Sequence, residues 1–363
     1  MQNILILGNG KIGTAVKVLL DNLSGKTRMM TIRDISLIQK LMQVKYEVVD
    51  YEALMKDSDG EGKFLELLEN ADIVINALPF YLSETIAQAA FNAHCSYIDF
   101  TEDHEAANKV YSIYAKDTSL ACAPGCGLAP GFINYLANFL PHTFNKPETL
   151  LMSVGALPRH INYSENDIDG TYNLTWSVDG LVNEYLKPCQ VRMNGRNVQI
   201  PALSAVETVV LDGQVFEAAC TAGGVGTLVE DLKHIPNVVY KTLRYPGHYA
   251  YVKDAIKRHN FSFDAIKEEF TKIYPHNDHD IVIVYVTCTG EKDGKRVKNT
   301  HVSTYHGSFG LSAIQTITAA SATAVLELIL SGKVSGLIRH KDISIRDFYN
   351  TASYLSFFTN TRR

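Results

Sequence analysis

Three glycines near the amino end restrict what this chain can fold into more than any other feature. An apolar run, Ile4-Leu5-Ile6-Leu7, leads straight into Gly8, Gly10 and Gly13, spaced as G-x-G-x-x-G. The residues that follow have helical periodicity, with Ile12, Ala15, Val16, Leu19, Leu20 and Leu23 on one apolar stripe. A strand that turns tightly into a helix N-terminus offers backbone N–H groups and the positive helix end to an anion. In that arrangement Gly8 serves the tight turn, Gly10 lets a pyrophosphate approach the backbone, and Gly13 lets helix and strand pack closely. The spacing alone recurs by chance; the strand before, the helix after and an acid downstream make it specific. Gly8, Gly10, Lys11, Ile12 and Gly13 are therefore the expected phosphate-binding residues of a dinucleotide.

The downstream acid is Asp34, at the end of the apolar run Met29 to Ile32. A carboxylate there accepts a hydrogen bond from the adenosine ribose 2′-OH and repels a 2′-phosphate, which favours NAD over NADP. Arg33 beside it is the residue type that hosts a 2′-phosphate, so NADP stays open.

A chain of 363 residues holds about two domains with ample core. The formal charge of −5 and the lack of any Lys/Arg run argue against a nucleic-acid groove. The longest apolar stretch, 319–330, is interrupted by Ser321, Thr323 and Glu327 and is too short to span a bilayer, so no membrane partner is expected. Nothing that reads as a signal peptide precedes the glycines, and the six cysteines show no C-x-x-C spacing. A reducing, cytoplasmic setting is the expectation.

Over the first third, apolar runs at 4–7, 28–32, 46–49, 73–77, 96–99 and 119–123 alternate with helix-like segments near 11–23, 35–43, 62–70, 83–94 and 103–117. That alternation predicts a parallel sheet covered on both faces, with ligands beyond the carboxyl ends of its strands. Asp34, Asp50, Asn76 to Pro79, Asp99 to Glu102 and Pro124 to Gly127 stand at those ends. Ala77, Leu78 and Pro79 form a stiff apolar exit suited to lie against a cofactor ring. Thr101 is the expected N-cap of the next helix, with Glu102 and Asp103 in its first turn. Asp99 is left either as a contact or proton acceptor for a substrate amine, or as a purely structural carboxylate.

After the Pro- and Gly-rich loop at 124–131 and an apolar helix at 132–140 the grammar changes. Strand-like runs at 150–156, 171–177, 206–210, 214–219, 281–288 and 297–305 predict an antiparallel α+β unit, with Asp293-Gly294 as the turn of its last hairpin. A small-residue helix at 311–331, closed by Gly332, is expected to return to the first domain. His276-Asn277-Asp278-His279-Asp280 has metal-ligand residue types, but between Pro275 and a strand it reads as a polar loop, and no metal is expected. The fold class is thus α/β: a Rossmann-type parallel-sheet domain at 1–126, completed by a returning segment at 307–345. An α+β substrate and dimerisation domain with an antiparallel sheet occupies 127–306, and a tail occupies 346–363.

Several stretches resemble the saccharopine dehydrogenase family. They are Gly8 to Gly13, Ile73 to Phe80, Tyr97 to Glu102, Pro130-Gly131, Thr175 to Tyr185, Gly223 to Thr227 and Tyr240 to His248. The Trp-Ser and Tyr-Pro-Gly-His pieces are long enough to be specific. The resemblance implies an oxidoreductase that uses NAD, or NADP, to oxidise a C–N bond of a small amino-acid substrate, and a homodimer is expected. Members that form saccharopine tend to carry an acid before the Pro-Gly pair and an Arg in the Trp-Ser segment; this chain has Ala129 and Asp179. Both departures lean toward a smaller amine-bearing amino acid, with lysine oxidised at its ε carbon as the leading expectation. A secondary amine such as saccharopine or a carboxylated polyamine is the alternative, and an inactive dinucleotide-binding regulatory protein is a third.

Such chemistry needs a neutral amine, hence a base or a depressed amine pKa, and a cation for the α-carboxylate. Arg244 suits the carboxylate, with Lys241 as a second positive charge. His248 is the expected group titrating near neutral pH, with Asp99 its rival. Trp176 would wall the pocket, and Tyr172 or Ser177 would hydrogen-bond the substrate. Bland roles fit several of these as well: Trp176 as core, His248 as an exposed turn residue, Lys241 as a solvated cation. Kinetics with the two cofactors should give the lower KM for NAD; a clear preference for NADP would overturn the assignment to Asp34.

Overall fold

Alternation at the amino end produces a five-stranded, wholly parallel sheet. Its strands are β1 (Asn3–Leu7), β2 (Lys45–Val49), β3 (Ile73–Asn76), β4 (Ser96–Asp99) and β5 (Cys122–Ala123), in the order β2-β1-β3-β4-β5. Every residue from Ile4 to Leu7 and from Ile73 to Asn76 is buried, as expected of strands covered on both faces. The computed structural model describes residues 2–25, 44–159, 171–275 and 279–358. The expected strand at 28–32 and helix at 35–43, with Arg33 and Asp34, therefore lie outside the described residues, as do His276, Asn277 and Asp278. The chain divides into two compact units, one drawn from Met1–Phe132 and Gln315–Asn360, the other from Ile133–Ile314.

In the first unit the helix Lys11–Gly25 buries Ala15, Val16 and Leu19 completely. The helix after β4 starts later than its sequence suggests. It spans His104–Tyr114 and its N-cap is Asp103, whose carboxylate accepts from Ala106 N at 2.9 Å. Thr101 instead accepts from Asp103 N at 3.2 Å, two residues before the helix-capping position. Beyond β5, Cys122 N donates to Gly336 O and Ile338 N to Cys122 O, each at 2.8 Å, so the carboxyl-terminal segment extends the parallel sheet.

The helix Ala313–Leu330 is, among the described residues, the one long and apolar enough to cross a membrane, but 83% of it is buried within the protein. It ends where expected. Gly332 has φ +72°, its N–H reaches Ile329 O and the next N–H reaches Leu328 O, both at 2.9 Å, a Schellman closure.

The second unit holds β6 (Lys146–Pro158), β7 (Cys189–Met193), β8 (Arg196–Ile200), β9 (Glu207–Leu211), β10 (Gln214–Cys220), β11 (Asn237–Arg244), β12 (Asp280–Lys292) and β13 (Lys295–His306). The sheet runs β13-β12-β6-β11-β10-β9, with the β7–β8 hairpin attached at β11. It is mostly antiparallel but mixed, since β6 and β11 pair in parallel from Asn237↔Thr149 to Thr242↔Val154. Asp293 (φ +50°) and Gly294 (φ +72°) close the β12–β13 hairpin as a two-residue turn with both residues left-handed. Asn194-Gly195 and Asp212-Gly213 repeat that geometry for β7–β8 and β9–β10. The stretch 171–177 is not a strand. Thr171 to Thr175 are all buried, which defeats a one-faced alternation, and Ser177 ends the stretch as a helix N-cap. Asp280 accepts from the backbone N–H groups of Ala313 and Ile314, the latter at 3.0 Å, and so caps a helix.

A carboxyl group sits in the last turn of the long helix. Glu327 is fully buried and accepts from Ala352 N (2.6 Å), Ser353 N (2.8 Å) and Ser353 Oγ (2.5 Å). Burial pushes its carboxyl up to about 7, against those hydrogen bonds, which pull it down. A folded-state acid raised above its unfolded value favours the fold most below about pH 4.5 and loses that contribution as pH rises toward 7. The window is worth roughly 3 kcal/mol. Calorimetric melting between pH 4.5 and 8 should show this decline in the wild type, whereas Glu327→Gln, neutral throughout, should lack it apart from a constant offset.

Candidate functional site

Gly8 follows β1 with φ +103°, a left-handed conformation that costs a residue bearing Cβ, and a Cβ there would meet Ala77 O at 3.0 Å. At Gly13 a Cβ would fall 1.8 Å from Gly8 O, so the helix crosses its own strand turn at a distance only glycine allows. Gly10 is the opposite case: a Cβ there meets nothing within 4 Å. The turn is thus pinned by Gly8 and Gly13 and left open at exposed Gly10, over the helix N-terminus that carries Lys11 and Ile12. An open face over the start of a helix fits the paired phosphates of a dinucleotide.

The neighbouring strand ends close round this turn. Ala77 N donates to Leu7 O at 2.8 Å, and Leu78 N to the Asn76 side chain at 3.1 Å, which shapes the Ala77-Leu78-Pro79 exit. Asp50, exposed at the end of β2, caps the helix Tyr51–Met55 and accepts from Asn9 Nδ2 at 3.0 Å. Asp99 is fully buried; its carboxylate accepts from Gly125 N (2.8 Å), Thr101 N (3.0 Å), Tyr97 OH (2.9 Å) and the Ser83 side chain. Burial raises its carboxyl above the usual range, partly offset by the Thr101 and Gly125 N–H groups. The set of donors makes Asp99 a loop anchor. His340, which sequence reasoning missed, holds the carbonyl of the same residue, with Nε2 3.0 Å from Gly125 O. Burial lowers its imidazole to about 4, so it stays neutral and donates from Nε2.

In the second unit the cluster is built on one face of β11. Side chains alternate along a strand, so Thr242 and Arg244 share the face toward the helices while Lys241 takes the other. Arg244 is only 2% exposed. Its Nε donates to Tyr185 OH (2.9 Å) and Nη1 to Leu243 O (3.0 Å), while Nη2 stands 3.7 Å from Glu184 Oε2. The guanidinium lies over the ring of Tyr172 at 4.7 Å and near that of Tyr185 at 5.8 Å. Tyr172 OH accepts from Trp176 Nε1 at 2.7 Å.

Arg244, His248, Tyr172 and Trp176 are therefore brought together, with Trp176 partly buried at the margin. Two expected members are not. Ser177 spends its hydroxyl on Gly180 N as the cap of the helix Val178–Leu186. Lys241 does not supplement Arg244: three residues along a strand puts it on the opposite face, where Nζ binds Ala205 O at 2.7 Å and Glu207 at 2.8 Å. His248 is also corrected. It is neither an exposed turn residue nor a group titrating near neutrality, because burial and the Arg244 charge hold its imidazole well below the usual range. Glu184 and Tyr185 were missed, although a Glu three residues after Leu181 on an apolar helical stripe signals a carboxylate needing a buried partner.

Two glycine variants separate fold from binding. Gly13→Ala should lower Tm by several degrees, because Gly8 O must move. Gly10→Ala should leave Tm nearly unchanged yet weaken NAD(H) binding tenfold or more, about 1.4 kcal/mol, as read by calorimetric titration.

The sequence matches known domains on both sides of the Pro- and Gly-rich loop. Residues 4–123 match the saccharopine dehydrogenase NADP binding domain, and residues 127–352 match the saccharopine dehydrogenase C-terminal domain. The fold is similar to that of apo saccharopine dehydrogenase (L-Glu forming) from Saccharomyces cerevisiae, with TM-score 0.68 and 16% identity over 100% of this chain and 98% of that one. It is similar also to homospermidine synthase from Legionella pneumophila in complex with NAD, with TM-score 0.64 and 11% identity over 98% and 90% of the two chains. With an open glycine turn in the first unit and both domain types matched in order, the chain belongs to the saccharopine dehydrogenase family of NAD(P)-binding oxidoreductases.

Proposed function

We propose that the protein is an NAD-dependent amino-acid dehydrogenase that oxidises lysine at its ε carbon, the activity of a lysine 6-dehydrogenase. The observation that carries this is the buried guanidinium of Arg244 beside the buried carboxylate of Glu184. Such a pair complements the α-carboxylate and α-ammonium of one amino acid. A substrate with several carboxylates needs further cations, and the nearest on the same strand, Lys241, is bound to Glu207 on the other face. Trp176, partly buried at the margin, offers apolar surface to an alkyl chain.

The nicotinamide of bound NAD supplies the hydride acceptor. The substrate amine must lose its proton before its carbon is oxidised. Asp99 is saturated with donors, His248 is a poor base at its lowered pKa, and Lys241 is an ion-paired ammonium. Deprotonation is therefore assigned to burial of the amine, which lowers an ammonium's pKa, with water taking the proton. Water then adds to the resulting imine carbon and ammonia departs.

NADH formation should appear at 340 nm with L-lysine and NAD alone. A requirement for saccharopine or a 2-oxo acid, or tight NADH binding without turnover on any amine, would overturn the proposal. Arg244→Lys keeps the charge and loses the fork, so KM for L-lysine should rise at least tenfold, about 1.4 kcal/mol, with NADH affinity unchanged. Arg244→Ala is a poorer probe, since stranding Glu184 costs about 3–5 kcal/mol of stability.

A further inference from the structure

A chain of hydrogen bonds crosses the second unit and stops at an unsatisfied donor. Thr221 Oγ1 and Thr242 Oγ1 are 2.6 Å apart, and Thr242 Oγ1 donates to Glu184 Oε1 at 2.6 Å. Thr242 has one proton, so Thr221 donates to it. Beyond Glu184 comes Arg244, whose Nε donates to Tyr185 OH, and Tyr185 OH lies 3.0 Å from His248 Nε2. A guanidinium can only donate. The Tyr185 oxygen therefore accepts from Arg244, and its single proton is directed to His248 Nε2. An uncharged imidazole that accepts at Nε2 carries its proton on Nδ1, and burial, with the adjacent guanidinium, keeps this ring uncharged.

That Nδ1 is buried and, among the described residues, has no hydrogen-bond partner, on a ring with 0% exposure. A second orphan adjoins it: the hydroxyl of Tyr274 is likewise buried and unpartnered, and its ring stacks on His248 at 5.7 Å and 22°. The rings of His248 and Tyr274 both contact Tyr172, the ring beneath the Arg244 guanidinium. Native interiors rarely leave two such groups side by side without an acceptor to serve them. An N–H donor cannot receive an ammonium, which has no lone pair; it requires an oxygen acceptor.

We propose that His248 binds one oxygen of the substrate's α-carboxylate through Nδ1–H, acting with Arg244 as a neutral hydrogen-bond donor and not as a base, with Tyr274 OH as a further donor beside it. The identity of the ligand rests on the amino-acid dehydrogenase proposal; the tautomer and the orphan donor do not.

The test uses the full-length protein labelled with 15N-histidine and saturated with NADH, titrated with L-lysine, with L-norleucine (carboxylate, no ε-amine) and with 1,5-diaminopentane (amine, no carboxylate). His248 should be protonated at Nδ1 and bare at Nε2, and the Nδ1–H signal should shift with both amino acids but not with the diamine. In kinetics His248→Phe should raise KM for L-lysine at least tenfold and leave the Kd for NADH within twofold. His248→Asn, whose Nδ2–H lies near the place of Nδ1–H, should recover most of that loss. A proton found on Nε2, a signal indifferent to L-norleucine (a resident water only), or equal KM increases for the Phe and Asn variants would each overturn the proposal. Should either variant fail to fold, the wild-type titration still decides. If wild-type protein never oxidises L-lysine yet the signal still moves with both amino acids, the dehydrogenase proposal fails and this one stands.

Discussion

A buried guanidinium sets the terms for the second unit. A charge at 2% exposure is tolerable only with a counter-charge and donors' partners within reach. Here the helix Val178–Leu186 delivers Glu184 and Tyr185 side by side, and the edge of that need spreads outward. Glu184 is fixed by Thr242, Thr242 by Thr221, and Tyr185 is tied to His248. Strand β11, the residue that follows β10 and two helices are tied together around one side chain. The ion pair itself is loose, at 3.7 Å, so the guanidinium keeps donor capacity that a tight fork on Glu184 would have consumed.

The first unit meets its constraint with backbone instead of charge. Gly8 O occupies the space a Gly13 side chain would need, so the glycine turn is a packing necessity before it is a phosphate site. The same economy recurs at the far edge of the sheet, where Gly125 is gripped through both its backbone groups: its N–H by Asp99 and its carbonyl by His340. Both gripping groups are fully sheltered from water, where hydrogen bonds are strongest and orphaned groups most costly. A loop at the carboxyl end of a parallel sheet, where ligands of such folds bind, is thereby made rigid without secondary structure of its own.

What could be read from the residues follows from how local each signal is. The glycine turn, the Asp293-Gly294 hairpin and the Gly332 closure are set by neighbours a few residues apart, and each was legible. The stretch 171–177 was misread because aromatic and β-branched residues mark burial as readily as strand, and here burial on all sides won. Thr101 looked like a cap because its residue type suits one, yet Asp103 two residues on suits it equally and the loop decides between them. The parallel pairing of β6 with β11, the grip of His340 on Gly125 and the bond from Lys241 to Ala205 join distant segments, and no periodicity announces them.

His248 shows why residue type alone misassigns chemistry. Histidine in solution changes charge near neutral pH, which invites the role of base. Buried beside Arg244 and four tyrosine rings it is driven neutral, and the tyrosine between the two fixes which nitrogen holds the proton. At the centre of the cluster the guanidinium of Arg244 faces the carboxylate of Glu184, one charge against the other. A lone carboxylate entering it would leave an uncompensated buried charge, and so would a lone ammonium. A ligand bearing both leaves the balance unchanged, so the electrostatics that keep Arg244 buried also favour a zwitterion.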